Sequence, residues 1–209
     1  METKILCKLV NQKLQTYNKT QWAINEWQTA AGEGELCSES WLHGYEHPLL
    51  AMLLNPIHAN IATPRLFAIE VGDKVLNDAG LKFGSNKMRL VEELELPQVT
   101  LEQRIKFGIL CALEVCQDAA FVTWATGWLS GADRSKEAAA DAAKAADAAA
   151  ADDAKAADAA AAAKAADSAA WADAAAAADA AAAADAAAAA AAAKGKKIDL
   201  IALAKKAVE

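Results

Sequence analysis

The residues with the most chemistry to offer crowd into one stretch. Cys37, His43, Tyr45 and His47 fall within Leu36–Pro48, and His58 follows eleven positions after His47. All three histidines and one of the four cysteines therefore lie within 22 positions. Thiolate and imidazole are the usual zinc ligands. The spacing here matches no strong zinc pattern and supplies no CxxC knuckle, so no metal and no cofactor is expected. A Cys37–His43 nucleophile pair would need an orienting carboxylate and an oxyanion hole, and neither sits at a recognisable spacing, so no catalytic residue is assigned. The bland alternative makes Cys37 a small buried hydrophobe, His43 a hydrogen-bonded core or turn histidine and His47 a helix N-terminal residue. Cys37, His43, Tyr45, His47 and His58 stand as the candidate small-ligand residues.

Those residues need a scaffold, and the flanking pattern supplies an α+β one. TKILCKLV (residues 3–10), Arg65–Val71 and Lys87–Leu96 are apolar and β-branched enough to read as strands. HPLLAMLLN reads as a short buried helix, with Pro48 in the first turn and a stop at Asn55-Pro56. The Gly, Asn and Asp of GDKVLNDAGLKFGSN supply turn chemistry. Residues 1–97 thus form a small mixed head. In residues 98–131, Thr100 and Gln103 match a capping box, apolar residues recur at helical spacing, and Ser130-Gly131 suits a C-cap, which fits one long helix or two shorter ones.

Residues 132–195 obey a different composition. Between Glu137 and Lys194, 42 of 58 residues are Ala, and no Gly or Pro intervenes between Gly131 and Gly195, so helix is nearly compulsory. A single straight helix would reach roughly 87 Å, so the tract either projects or folds back as a hairpin. Asp141-Lys144-Asp147 recurs eleven residues later as Asp152-Lys155-Asp158, which stacks the charges in one stripe. Asp167, Asp173, Asp179 and Asp185 come every six residues and spread around the helix. Trp171 stands alone among the alanines, and so large a ring marks where the tract docks. Trp22, Trp27, Trp41, Trp124 and Trp128 read as core. Residues 196–209 make a short amphipathic terminal helix.

Trp22 and Trp27, Leu36-Cys37, His43, Pro48-Leu49, Leu66–Val71 and the following Gly72-Asp73-Lys74-Val75 together resemble a family of uncharacterised bacteriophage and bacterial proteins. Its members read W…W…LC…G…H…C…P, continue into an apolar-Glu-Val strand and finish in Ala-rich helices, and some carry the label of immunity proteins. The chain departs from that pattern where Ser40 or Trp41 replaces the Gly and Tyr45 replaces the second Cys, which removes any Cys/His metal set relatives share. The resemblance implies a phage or mobile-element setting and an accessory role.

Charge narrows the partners. Of a net −7, −6 lies in the alanine tract, leaving the head close to neutral. An acidic chain is a poor partner for nucleic acid or anionic membrane. Six excess charges over roughly 87 Å fall far short of duplex DNA, with one per ~1.7 Å, so DNA mimicry is excluded. Aspartate every six residues argues against a membrane span. Scattered cysteines read as reduced thiols, and METKILCKLVNQK has no signal-peptide pattern, so the expected location is cytoplasmic, in a host cell or a virion. The leading expectation is a non-enzymatic accessory protein that binds itself or a host or virion protein through its helices. A ligand-binding or enzymatic head, acting on a nucleotide for example, and a structural virion component are the alternatives.

Overall fold

The computed structural model of the protein describes residues 5–16, 19–149, 156–171 and 174–209. The chain divides into two units, Met1–Gln98 and Val99–Glu209, in a mixed α+β architecture with a sheet region followed by helices.

The first unit is built around strands β4 (Arg65–Val71) and β7 (Lys87–Leu94), which pair antiparallel and place Phe67 opposite Glu93. A register slip between Ala68 and Ile69 bends them. β1 (Cys7–Val10) and β2 (Gln28–Thr29) flank this pair to give the order β1-β4-β7-β2. A second sheet has the order β3-β6-β5, from Leu42–Gly44, Lys82–Ser85 and Val75–Asp78. The chain passes from β6 to β7 through Asn86 alone, so nearly one continuous run serves both sheets. Ser85 is fully buried there, and its hydroxyl donates to the Lys87 carbonyl at 2.8 Å, which holds the corner. The free edges of β1 and β3 meet where Cys7 and Tyr45 exchange both backbone hydrogen bonds, at 2.9 and 2.8 Å. The sheets therefore curl into a half-barrel. Val10, Phe67, Ile69, Phe83, Met88 and Leu90, drawn from both sheets, fill it together with Trp22 from the segment between β1 and β2, and burying each large side chain contributes about 1.5–3 kcal/mol. Helix α1 (Pro48–Leu54) packs on β1.

The strands expected over Arg65–Val71 and Lys87–Leu96 are β4 and β7, and the short helix is α1. β5 and β6 were hidden as turn chemistry. Their residues, Val75-Leu76-Asn77-Asp78 and Lys82-Phe83-Gly84-Ser85, lack strict alternation, and only the turn at Ala79-Gly80 between them matches the expectation.

The second unit is helical. α2 (Leu101–Leu113) begins on the expected capping box: Thr100 Oγ1 accepts from Gln103 N–H at 3.2 Å, and Gln103 Oε1 accepts from Thr100 N–H at 2.9 Å. Asp118 caps α3 (Ala119–Ser130), which ends at Gly131 with φ 77°. Residues 98–131 therefore hold two helices. The described tract comprises α4 (Lys136–Ala149), α5 (Ala156–Ala170) and α6 (Ala174–Ala193), with α5 packed on both α4 and α6. It folds back; a straight 87 Å rod is not formed, and three described helices stand where one or two were expected. The second copy of the charge repeat, at Asp152 to Lys155, and Asp173 lie outside the described residues.

Alanine makes this core possible. Ala161, Ala162, Ala165 and Ala166 of α5 and Ala180, Ala183, Ala184 and Ala187 of α6 are at most 1% exposed. Small side chains let backbones approach closely, and Gly108 of α2 takes this furthest, with the Ala180 carbonyl oxygen only 2.8 Å from where a Cβ would stand. Ile105, Phe107, Ile109 and Leu110 of α2 supply the bulk that alanines lack. Over Ala175–Ala193, α6 has the length and composition of a membrane-crossing helix, but half of that window is buried, the pattern of a core helix. α7 (Leu200–Val208) closes on α2, capped by Asp199, whose carboxylate accepts from Ala202 N–H at 3.0 Å.

Candidate functional site

Residue alternation on β1 places Lys8 on the same face as Val10, and so toward the filling of the half-barrel. Lys8 is only 7% exposed. Its Nζ donates to the His43 carbonyl at 2.6 Å and lies 4.7 Å from the centroid of the Trp22 ring. Among the described residues no carboxylate comes within ion-pair distance of it. Burying an ammonium without a counter-charge is costly, and burial pushes the Lys8 amine down to about 7.

Lys8 forms part of the wall of a cavity of about 380 Å³ in the first unit. That volume lies in the range of small-molecule sites. Trp22, Trp41, His43, Tyr45 and His58 line it with Lys8, and Lys82 and Glu39 contribute further charge. Each is positioned by local structure. His43 sits on β3, where its Nε2 lies 2.7 Å from the Leu36 carbonyl; a carbonyl only accepts, so Nε2 carries the proton and the neutral ring keeps Nδ1 as its lone-pair nitrogen. Burial, with Lys8, Lys82 and His58 nearby, outweighs the Leu36 bond and holds His43 below the ordinary imidazole range. Tyr45 lies at the seam between sheets, with the His58 ring stacked on it at 6.1 Å. Its phenol is pushed up by burial and by Cys7. Trp22 Nε1 donates to Thr16 Oγ1 at 2.9 Å, which fixes the indole face that meets Lys8. Lys82 is paired loosely with Asp78 at 3.7 Å.

Of the five candidate residues, Cys37, His43, Tyr45 and His58 border this cavity. His47 does not. It caps α1, its Nδ1 accepting from Leu49 N–H at 3.1 Å. Cys37 is exposed, against the expectation of a small buried hydrophobe, because it falls in the loop ahead of β3 where nothing covers it. Among the described residues no group of three metal-capable side chains forms. Lys8, Trp22, Trp41 and Lys82 went unrecognised as site residues. The one available signal was a lysine inside the otherwise apolar LCKLV, which marks a charge carried into a core.

Two tryptophans depart from expectation. Trp27 is 39% exposed, with Lys87 and Arg89 over its ring at 4.6 and 4.9 Å, a surface cation–π stack and not core. Trp171, at the end of α5, is 59% exposed, so it does not mark a place where the tract docks on its own unit.

Residues 4–102 match a family described as Domain of unknown function (DUF7666), which spans the first unit and the first residues of α2. The match covers 99 of the 209 residues, so this part of the chain is similar to an uncharacterised family, and that description carries no activity and no phage or immunity role. No curated protein and no solved structure matches the chain.

Proposed function

We propose that the first unit is a binding module for a small anionic ligand bearing a planar ring, a nucleotide-sized molecule seated in the cavity beside Lys8. The single observation that carries this reading is a cavity of about 380 Å³ whose wall brings Lys82 together with two tryptophans and the nearly buried Lys8. Lys82 and the two histidines add positive or hydrogen-bonding groups against one exposed glutamate, which suits an anion. The indole faces of Trp22 and Trp41 suit a ring. Thermal shift of the full chain with nucleoside mono- and diphosphates, their neutral nucleosides and inorganic phosphate tests it. Stabilisation by a phosphorylated ring compound, lost in Trp41→Ala and weakened in Lys82→Ala, is expected. No shift from any member of the panel would sink the reading.

A second reading rests on Trp171. An exposed tryptophan just past the end of an alanine helix is a candidate contact for a second copy or for a host or virion protein. Truncation at Ser130 would not test it, because α2 packs on α5 and α6 and would lose its cover. Light scattering on the full chain and on Trp171→Ala does. Association that weakens in the variant is expected, whereas identical monomeric behaviour of both, with no partner retained, would rule it out.

A further inference from the structure

The cavity holds a group that simple anion binding does not explain. An anion site gains from cations at its accessible wall, yet Lys8 as a residue is only 7% exposed and its Nζ donates to a backbone carbonyl. A carbonyl accepts from either an amine or an ammonium, and more strongly from the ammonium, so this bond works against burial in setting the charge. Two effects compete over the proton. The Trp22 ring, its centroid 4.7 Å from Nζ, favours the cation. Loss of solvent on burial, with no carboxylate in ion-pair reach among the described residues, favours the neutral form more strongly. A neutral, desolvated amine facing a cavity is the arrangement that makes lysine a nucleophile toward carbonyl carbon.

We propose that Lys8 forms a reversible imine with an anionic aldehyde or ketone held in this cavity, its ring against the tryptophans and its anionic group toward Lys82. The inference rests on the ligand-binding reading above. The Nζ lone pair attacks the carbonyl carbon and the C=O π pair moves to oxygen, which takes the proton that nitrogen gives up. The carbinolamine then loses the hydroxyl with the second nitrogen proton as water, leaving C=N. Amine and carbonyl are converted to imine and water, with nothing oxidised or reduced. The step needs no partner beyond the carbonyl compound.

Pyridoxal 5′-phosphate serves as the probe, since it combines ring, phosphate and aldehyde. The full chain is incubated with an equimolar amount near pH 7.5, reduced with cyanoborohydride and mapped by peptide mass. The chain has seventeen lysines. Lys8 is expected to carry about tenfold or more of the label found on an average other lysine, because ordinary lysines near pKa 10.4 remain almost wholly protonated at that pH. Pyridoxine phosphate, which lacks the carbonyl, should protect Lys8. Lys8→Arg, with folding checked by circular dichroism, should lose the dominant adduct, and mapping on the wild type stands without it should that variant misfold. Label spread evenly over the lysines overturns the imine. If pyridoxal phosphate or the nucleotides still raise the melting temperature in that case, the ligand-binding reading survives alone; if neither does, both fall.

Discussion

A lysine pushed down to about 7 by burial ties folding to pH. The unfolded chain binds a proton at Lys8 up to its ordinary pKa near 10.4, while the folded chain releases it above about 7. Stability at this site therefore rises with pH through that window and is flat below it. Cys7, pushed up to about 12, acts in the opposite sense above about 9, where the unfolded thiol ionises and the folded one does not. The difference between wild type and Lys8→Met isolates the lysine. Melting temperatures from pH 6.5 to 9 should rise more steeply in the wild type, and the variant should be the more stable of the two near pH 7, since a hydrophobe avoids the cost of either burying the lysine's charge or stripping its proton. Parallel profiles would mean that Lys8 stays protonated in the fold. Thiol access is a second residue-scale outcome: Cys7, Cys111 and Cys116 are buried and Cys37 is exposed, so a thiol reagent should modify one equivalent quickly and three only on unfolding. Residue types alone singled out Cys37, His43, Tyr45 and His58, which border the cavity, because cysteine and histidine stand out in any composition. They could not find Lys8, whose meaning comes from a fold that brings β3 and Trp22 over β1.

Two glycines in helices of the second unit show how the same substitution takes opposite signs. A Cβ at Gly108 of α2 would stand 2.8 Å from the Ala180 carbonyl oxygen and 3.1 Å from its Cα, so backbone would have to move. A Cβ at Gly127 of α3 would meet nothing within 4 Å. Gly108→Ala should cost about 1–3 kcal/mol as overpacking, while Gly127→Ala should gain about 0.5–1 kcal/mol by relieving the flexibility of a helical glycine. Urea unfolding of both variants checks the pair, and a neutral Gly108→Ala would show that α2 and α6 are not in such close contact. Elements with a local signal were legible beforehand: α1 from its proline and apolar run, α2 from Thr100 and Gln103, and the end of α3 from Gly131. β3, β5 and β6 were not. Their pairing is a tertiary fact, set by Tyr45 meeting Cys7 and by the corner at Asn86, and no local periodicity encodes it.

At the scale of the whole chain, the alanine tract could be read as helical but not as folded, because poly-alanine has no apolar stripe to say which side faces inward. Aspartates spread around the circumference suggested solvent on all sides, yet α6 buries alanines between Asp179 and Asp185, and the Lys194–Asp158 pair links the end of α6 to the start of α5. What the aspartates still do is keep such a surface dissolved. With −6 of a net −7 between Glu137 and Lys194 and a pI near 5.1, repulsion between copies vanishes as pH approaches 5. Asp167 protonates early on that descent, held above the ordinary carboxylate range by burial and by Asp147 and Asp179. Light scattering of the full chain should therefore pass through a maximum near pH 5 and decline toward neutrality. Asp147→Asn with Asp179→Asn removes two of the charges, so the maximum should move toward neutral pH and grow. Replacing Trp171 by Ala should lower it at every pH if the exposed indole is the contact that charge restrains. Scattering unchanged between pH 5 and 7 would show instead that alanine packing within each chain leaves no surface for charge to protect.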